Sequence, residues 1–279
     1  PPPPTARAFA DLLMTPARAE IDAGANRIAT DGEIALEVAT DPNAIGITAF
    51  DASDDAKVVP LAGPCGLVTA PSDFTIRTEE YPLTRRLRAY AVGTEDSPFV
   101  GGFLAYLQTG EAQQTMAANG LVGQQVGRGT LEGQGLRLAA AIRQSQSIED
   151  LRLLKEMVDV MTTSDPLSTT FRFQTGSNAL DDRARNDLAR VARHLAETPG
   201  ATAWLVGFTD AVGDTELNRE LAARRAEQVR DALLGQNLGV LEQVTFQTAG
   251  YGGLSPIGCN ETAIGRRTNR RVELWVNGE

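Results

Sequence analysis

The chain has 279 residues, a formal net charge of −10, 42% hydrophobic and 22% charged residues. Those proportions belong to ordinary globular proteins and exclude wholesale disorder and fibrous repeats. The acidic balance argues against sequence-independent nucleic-acid binding, which draws most of its affinity from a basic face, so no nucleic-acid partner is expected.

The length favours two domains over one. Lysine occurs only at Lys57 and Lys155, so the positive charge is nearly all arginine, a residue suited to planar recognition of carboxylate or phosphate. No apolar run approaches the roughly 18 residues of a membrane-spanning helix. The start lacks a signal-peptide pattern, so the chain reads either as cytoplasmic or as having lost a targeting segment. The four leading prolines are left out of the fold reasoning. Cys65 and Cys259 are far apart and His194 is the single histidine. That leaves no metal cluster and no Ser-His-Asp or Cys-His arrangement; the chain reads as a non-enzyme with no metal, cofactor or catalytic residue.

In chain order, Thr5 to Met14 reads as a helix with Phe9, Leu12 and Leu13 at helical spacing. Ala44–Phe50, after the turn signal Asp41-Pro-Asn43, and Leu87–Val92 read as strands. Ser97-Pro-Phe99 opens a helix with Phe99, Phe103, Leu104 and Leu107 on one face, and Glu111–Asn119 forms another before Gly120. Gly127-Arg-Gly129 with Gly133 superficially resembles a phosphate loop, but no strong strand precedes it and no Gly-Lys-Ser/Thr follows. An interdomain linker is the better reading. Leu136–Arg143 and Ile148–Met161 read as helices, the second with a stripe of Leu151, Leu154, Val158 and Met161.

The C-terminal segment has a cleaner pattern. Strands are expected at Thr170–Gln174, Ala203–Val206, Val244–Thr248 and Val272–Val276. Between them lie one helix capped by Asp181 or Asp182 and a longer one over Glu216–Leu234. The order is β-α-β-α-β-β, with helices on one face of a small sheet. Asn218 and Arg225 project nearly along one line at about 100° per residue. They flank the apolar stripe Ala222, Ala226, Val229 and Leu233. Without further context, Asp210 reads as a loop or capping residue and Arg225 as a surface ion pair.

Gly207-Phe-Thr-Asp210, Asn218-Arg-Glu-Leu221, Arg225-Ala226, Gly250-Tyr-Gly252, Pro256 and Gly265-Arg-Arg-Thr-Asn-Arg-Arg-Val-Glu273 resemble the OmpA-like peptidoglycan-binding domain. Phe208 departs from the histidine of many members and reads as packing. The resemblance implies recognition of diaminopimelate in the peptidoglycan stem peptide. Asp210 would take its ammonium and Arg225 its carboxylate, with Thr209, Asn218 and Leu221 shaping the pocket and Arg270 beside it. Arg266, Arg267, Arg270 and Arg271 read better as contacts to the ligand or to internal acids than as a nucleic-acid patch.

The N-terminal portion resembles, more loosely, the second lobe of phosphate-type periplasmic substrate-binding proteins. The residues are Asp41–Gly46, Tyr81–Tyr90, Phe99, Phe103–Tyr106, Gln113 and Gly120–Val122. Thr5 stands where that family's anion loop ends, but prolines, which supply no N–H, precede it. Half an anion site is implied, with phosphate or another small anion bound only in a longer chain. The fold class is thus α/β with two domains: a periplasmic-binding-protein-like α/β lobe at 1–126 and an OmpA-like α+β sandwich at 164–279. A Gly-rich and helical linker at 127–163 joins them. The resemblances imply wall association in the periplasm of a diderm bacterium, with a solute receptor or an envelope-protein partner as alternative roles for the lobe. That compartment permits a Cys65–Cys259 disulfide across the two domains; free thiols or other pairings are the alternatives.

Overall fold

The computed structural model describes residues 4–53, 56–91, 97–145, 147–173, 180, 182–236 and 238–277. The chain divides into two compact units, Pro1–Leu61 with Thr69–Gln125, and Ala62–Val68 with Val126–Glu279. Among the described residues no helix is long and apolar enough to cross a membrane.

Local capping chemistry places the helices of the first unit. Helix α1 (Pro4–Phe9) runs on as a π-helical turn, Ala10–Met14. Helix α2 (Asp31–Thr40) starts on a capping box between Thr30 and Glu33, a T-x-x-E signal passed over in the sequence. Strands β1 (Leu61–Ala62) and β2 (Val68–Thr69) form a hairpin. Helices α3 (Asp73–Arg77), α4 (Pro98–Tyr106) and α5 (Gly110–Ala118) start on Ser72, Ser97 and Thr109. The buried Gln113 accepts from Gln124 N at 2.5 Å and donates to Leu107 O at 2.7 Å.

These helices assemble no apolar core. Ala35 and Ala112 are the only buried apolar side chains among the unit's described residues, whereas Ile45, Tyr90 and Phe99 are 86–87% exposed. The strands expected at 44–50 and 87–92 do not form: residues 44–49 and 87–91 run without ladder partners, and residue 92 lies outside the described set. A strand of a receptor lobe is covered on both faces; here 44–49 packs beside Ile34 and Val38 of α2, while 87–91 is exposed. The expected α/β lobe is therefore corrected to a helical unit; Ala62 and Val68 of the hairpin group with the second unit. Thr5, expected at an anion site, donates to the Asp31 carboxylate at 3.0 Å, a neighbour that repels anions.

In the second unit, helix α6 (Leu131–Gln144) precedes α7 (Ile148–Thr163), whose Ser147 and Asp150 form a reciprocal cap. Strand β3 (Asp165–Arg172), helix α8 (Asp182–Ala196), strand β4 (Thr202–Phe208) and helix α9 (Thr215–Leu234) follow. Strand β5 (Thr245–Gly250), helix α10 (Ala263–Asn269) and strand β6 (Arg271–Asn277) complete it. Gln174 and the caps expected of Asp181 or Asp182 lie outside the described residues and side chains. The sheet order is β3-β6-β4-β5, with β4 and β5 parallel and β6 antiparallel to both β3 and β4.

Strand alternation gives this sheet two apolar faces. Ala203, Leu205, Val272 and Leu274 face the stripes of α8 (Leu188, Val191, Leu195) and α9 (Ala226, Val229, Leu233). Val206, Phe208 and Trp275 pack with Ala141 of α6 and Leu154, Met157, Val160 and Met161 of α7. Residues 127–163 are thus a covering layer rather than a linker. The α7 stripe is rotated from the expected one, leaving Leu151 52% exposed. Gly127 and Gly129 pair with β3 instead of facing a ligand: Gly129 N donates to Pro166 O and Ser168 N to Gly127 O, both at 2.7 Å.

A buried ionic cluster locks α6 to the sheet. Glu273, 4% exposed, accepts from Arg271 Nε at 2.6 Å, Arg137 Nη1 at 2.9 Å and Trp275 Nε1 at 3.0 Å. Arg137 Nε reaches Ser255 Oγ at 2.8 Å, and Arg271 Nη2 reaches Ser255 O at 2.9 Å. Burial alone raises the Glu273 pKa, but the charges and hydrogen bonds of Arg137 and Arg271 hold it at about 2.

Two substitutions test this architecture. Gly207 pairs with Gly250 across β4 and β5, and a Cβ on Gly207 would stand 2.0 Å from Ala222 O on α9. Gly207→Ala is expected to cost about 1–3 kcal/mol by forcing α9 off the sheet, read as a lower urea midpoint. Glu273 has a folded pKa below that of an unfolded glutamate, near 4.3. Its contribution is therefore full above that value and lost as pH falls toward about 2. Urea titrations from pH 6 to 2 are expected to show a shallower decline for Glu273→Gln than for the unaltered chain.

Candidate functional site

The loop 209–214 leaves β4 and feeds α9, whose N-cap Asp214 accepts from Leu217 N at 3.0 Å. Four further bonds fold this loop inward. Thr209 N donates to Gly252 O at 2.8 Å, and Val212 N to Asp210 Oδ1 at 3.1 Å. Asn218 Nδ2 donates to Val212 O at 3.0 Å, and Ala211 N to Asn260 Oδ1 at 3.1 Å. Asn260 is held in turn by Asn269, which is fully buried. The Asn269 Nδ2 donates to Asn260 Oδ1 and Gly258 O, while its Oδ1 accepts from Ile257 N and Gly258 N.

This scaffold brings together Asp210, Arg225 and Arg270. Arg270 Nη1 lies 2.6 Å from Asp210 Oδ2, each side chain only 13% exposed. Arg225 is 1% exposed rather than at the edge of α9, with its guanidinium 4.9 Å over the Phe173 ring. Its pKa is lowered by burial first and then by repulsion from Arg270, with attraction to Asp210 opposing both. Asp210 Oδ1 accepts from Val212 N and Oδ2 from Arg270, and each oxygen keeps a second acceptor position. Beside it the Thr209 hydroxyl is buried with no hydrogen-bond partner among the described residues. Leu221 is half-buried on α9, and Asn218 turns its amide to the loop backbone.

Three arginines of the run make internal contacts, while Arg267 is exposed. Arg266 donates to Asn260 O at 2.8 Å, Arg270 meets Asp210, and Arg271 is fully buried on Glu273. Phe208 lies 4.1 Å beneath the Arg271 guanidinium and 5.1 Å from that of Arg137. Cys65 and Cys259 are joined, with Cα atoms 5.5 Å apart. Expected across domains, the bond lies within the second unit, because residues 62–68 group with it. It holds the residue before Asn260. The sequence reading missed Asn260 and Asn269 as loop organisers; short amides in a Gly- and Pro-rich turn were the available signal.

The OmpA family model matches residues 172–270, so the C-terminal region carries an OmpA-like domain. The probable lipoprotein YiaD of Escherichia coli is 35% identical over 105 residues, 38% of this chain and 47% of that protein. The peptidoglycan-binding protein ArfA of Mycobacterium tuberculosis is 39% identical over 90 residues, 32% of this chain and 27% of that protein. The chain thus spans less than half the length of these curated relatives. Among solved structures, the peptidoglycan-associated lipoprotein of Burkholderia pseudomallei is 27% identical. That match covers 39% of this chain and 89% of that one, with a TM-score of 0.34.

Asn269→Ala would orphan two backbone N–H groups, at about 1–3 kcal/mol each. The expected outcome is a lower melting temperature together with faster amide exchange at Ala211 than in the unaltered chain.

Proposed function

We propose that the OmpA-like domain holds this chain non-covalently to peptidoglycan in the periplasm, by recognising the diaminopimelate of the stem peptide. The observation that carries this reading is the Asp210–Arg270 pair beside Arg225 and the buried Thr209 hydroxyl. A zwitterion asks for one acid and one planar base a few ångströms apart. The ligand ammonium takes the remaining acceptor positions of Asp210. Its carboxylate takes the Arg225 guanidinium in a forked pair, easing the repulsion between Arg225 and Arg270. Thr209 supplies a hydroxyl, while Asn218 and Leu221 shape the wall of the pocket. The ArfA relative is a peptidoglycan-binding protein, which supports peptidoglycan as the partner. The role is binding, with no bond made or broken.

Co-sedimentation with purified diaminopimelate-type peptidoglycan tests it. The unaltered chain is expected to pellet. Asp210→Ala and Arg225→Ala are expected to stay in solution while keeping their circular dichroism. Loss of one buried charged partner costs about 2–5 kcal/mol, a weakening of tenfold or more. Arg225→Lys keeps the charge without the fork and is expected to bind weakly. Lysine-type peptidoglycan, lacking the second carboxylate, is expected to bind poorly; equal binding to both wall types would remove the diaminopimelate assignment.

A further inference from the structure

We propose that the free edge of β5 is a strand-addition site for a basic, extended segment of a partner protein. The two edges of the sheet differ. Residues 127–129 cover the start of β3 with the two backbone bonds given above. On β5, Thr245 N donates to Ala201 O and Tyr251 N to Gly207 O, both at 3.0 Å, which fixes the groups facing β4. By ladder alternation Phe246, Thr248 and Gly250 turn their N–H and C=O outward. None of these groups bonds to a described residue beyond the ladder.

A groove of about 720 Å³ runs along this edge, with α7 as one wall and α9 as the other. A strand entering it would be covered on both faces by the two helical layers. Its rims carry Glu156 and Asp159 on α7 and Glu216 and Glu220 on α9. Arg219, the cation among the lining residues, is already engaged with Glu216 at 2.6 Å and Glu149 at 3.2 Å. Glu156 and Glu220 have only loose, exposed partners, Arg152 at 3.6 Å and Arg224 at 3.7 Å.

Tyr251 lines the groove and is 5% exposed. Burial, then Glu156 and Asp159, push its pKa up to about 12, so the hydroxyl stays protonated beside those carboxylates.

Charge complementarity selects the occupant. Side chains of an added strand alternate between the two walls, and both walls are acidic. Lysine or arginine therefore suits either direction, and edge pairing supplies the backbone bonds. A second copy of this chain fits poorly, because β5-to-β5 pairing would bring two sets of acidic rims together in a chain of net charge −10.

The test uses the full chain and a ten-residue peptide of alternating lysine and threonine, with glutamate replacing lysine in the control. Amide exchange by NMR is expected to slow at Phe246, Thr248 and Gly250 with the lysine peptide alone. Thr248→Pro removes an outward N–H and leaves the β4 ladder intact, so it is expected to abolish binding. A Glu156→Gln, Asp159→Asn, Glu220→Gln variant is expected to bind about tenfold more weakly and guards against a folding defect in the proline variant. No protection at the edge would overturn the proposal, as would binding unchanged in both variants. Protection that appears without peptide and rises with protein concentration would assign the edge to self-association instead.

Discussion

The second unit turns on a carboxylate that could not be buried alone. Glu273 lies on β6, flanked by β3 and β4, and is 4% exposed. An isolated charge there would be expelled or neutralised; two guanidiniums and an indole N–H make its burial tolerable. One guanidinium, Arg137, comes from α6, far upstream in sequence. The ionic cluster thereby ties a helix outside the matched OmpA segment to the β6 strand. In this placement of α6, Arg137 and Arg271 both meet the Glu273 carboxylate.

Two consequences follow for the rest of the unit. With α6 and α7 on one face and α8 and α9 on the other, the sheet is buried on both sides, and β4 reads as a continuous apolar run. Gly207 and Gly250 then let α9 approach the strands closely, which sets where its first turns meet the 209–214 loop. The loop is further braced by Asn260 and Asn269, with the Cys65–Cys259 bond one residue away. Asp210 and Arg225 are thus held by rigid elements, the condition for charged groups to recognise a zwitterion with little loss of entropy on binding. The same two helical layers overhang the open edge of β5. Cationic surroundings at the loop and acidic rims at the edge are therefore separate products of one architecture.

The first unit is of another kind. Its helix starts are well capped, yet its apolar side chains find no common core, and the fragments that resemble receptor strands stay unpaired. Local signals act over a few residues and succeed there; a parallel sheet needs covering layers on both faces, and capping supplies none.

Periodicity and turn chemistry determined much of the second unit from the sequence alone. The alternation of β3, α8, β4, α9 and β5 and the α9 stripe of Ala222, Ala226, Val229 and Leu233 were legible, because each rests on spacing within one element. The Asp210 constellation came from the family resemblance, and α10 before β6 was not expected. What only the tertiary structure decided involves partners distant in the chain. It showed that residues 127–163 cover the sheet, that Arg271 pairs inward with Glu273 while Arg270 turns to Asp210, and that Arg225 is buried against Phe173. Adjacent arginines are indistinguishable in sequence; the strand pleat sends them to different environments. Long-range charge pairing and face coverage depend on how elements meet, and no single stretch of sequence contains that information.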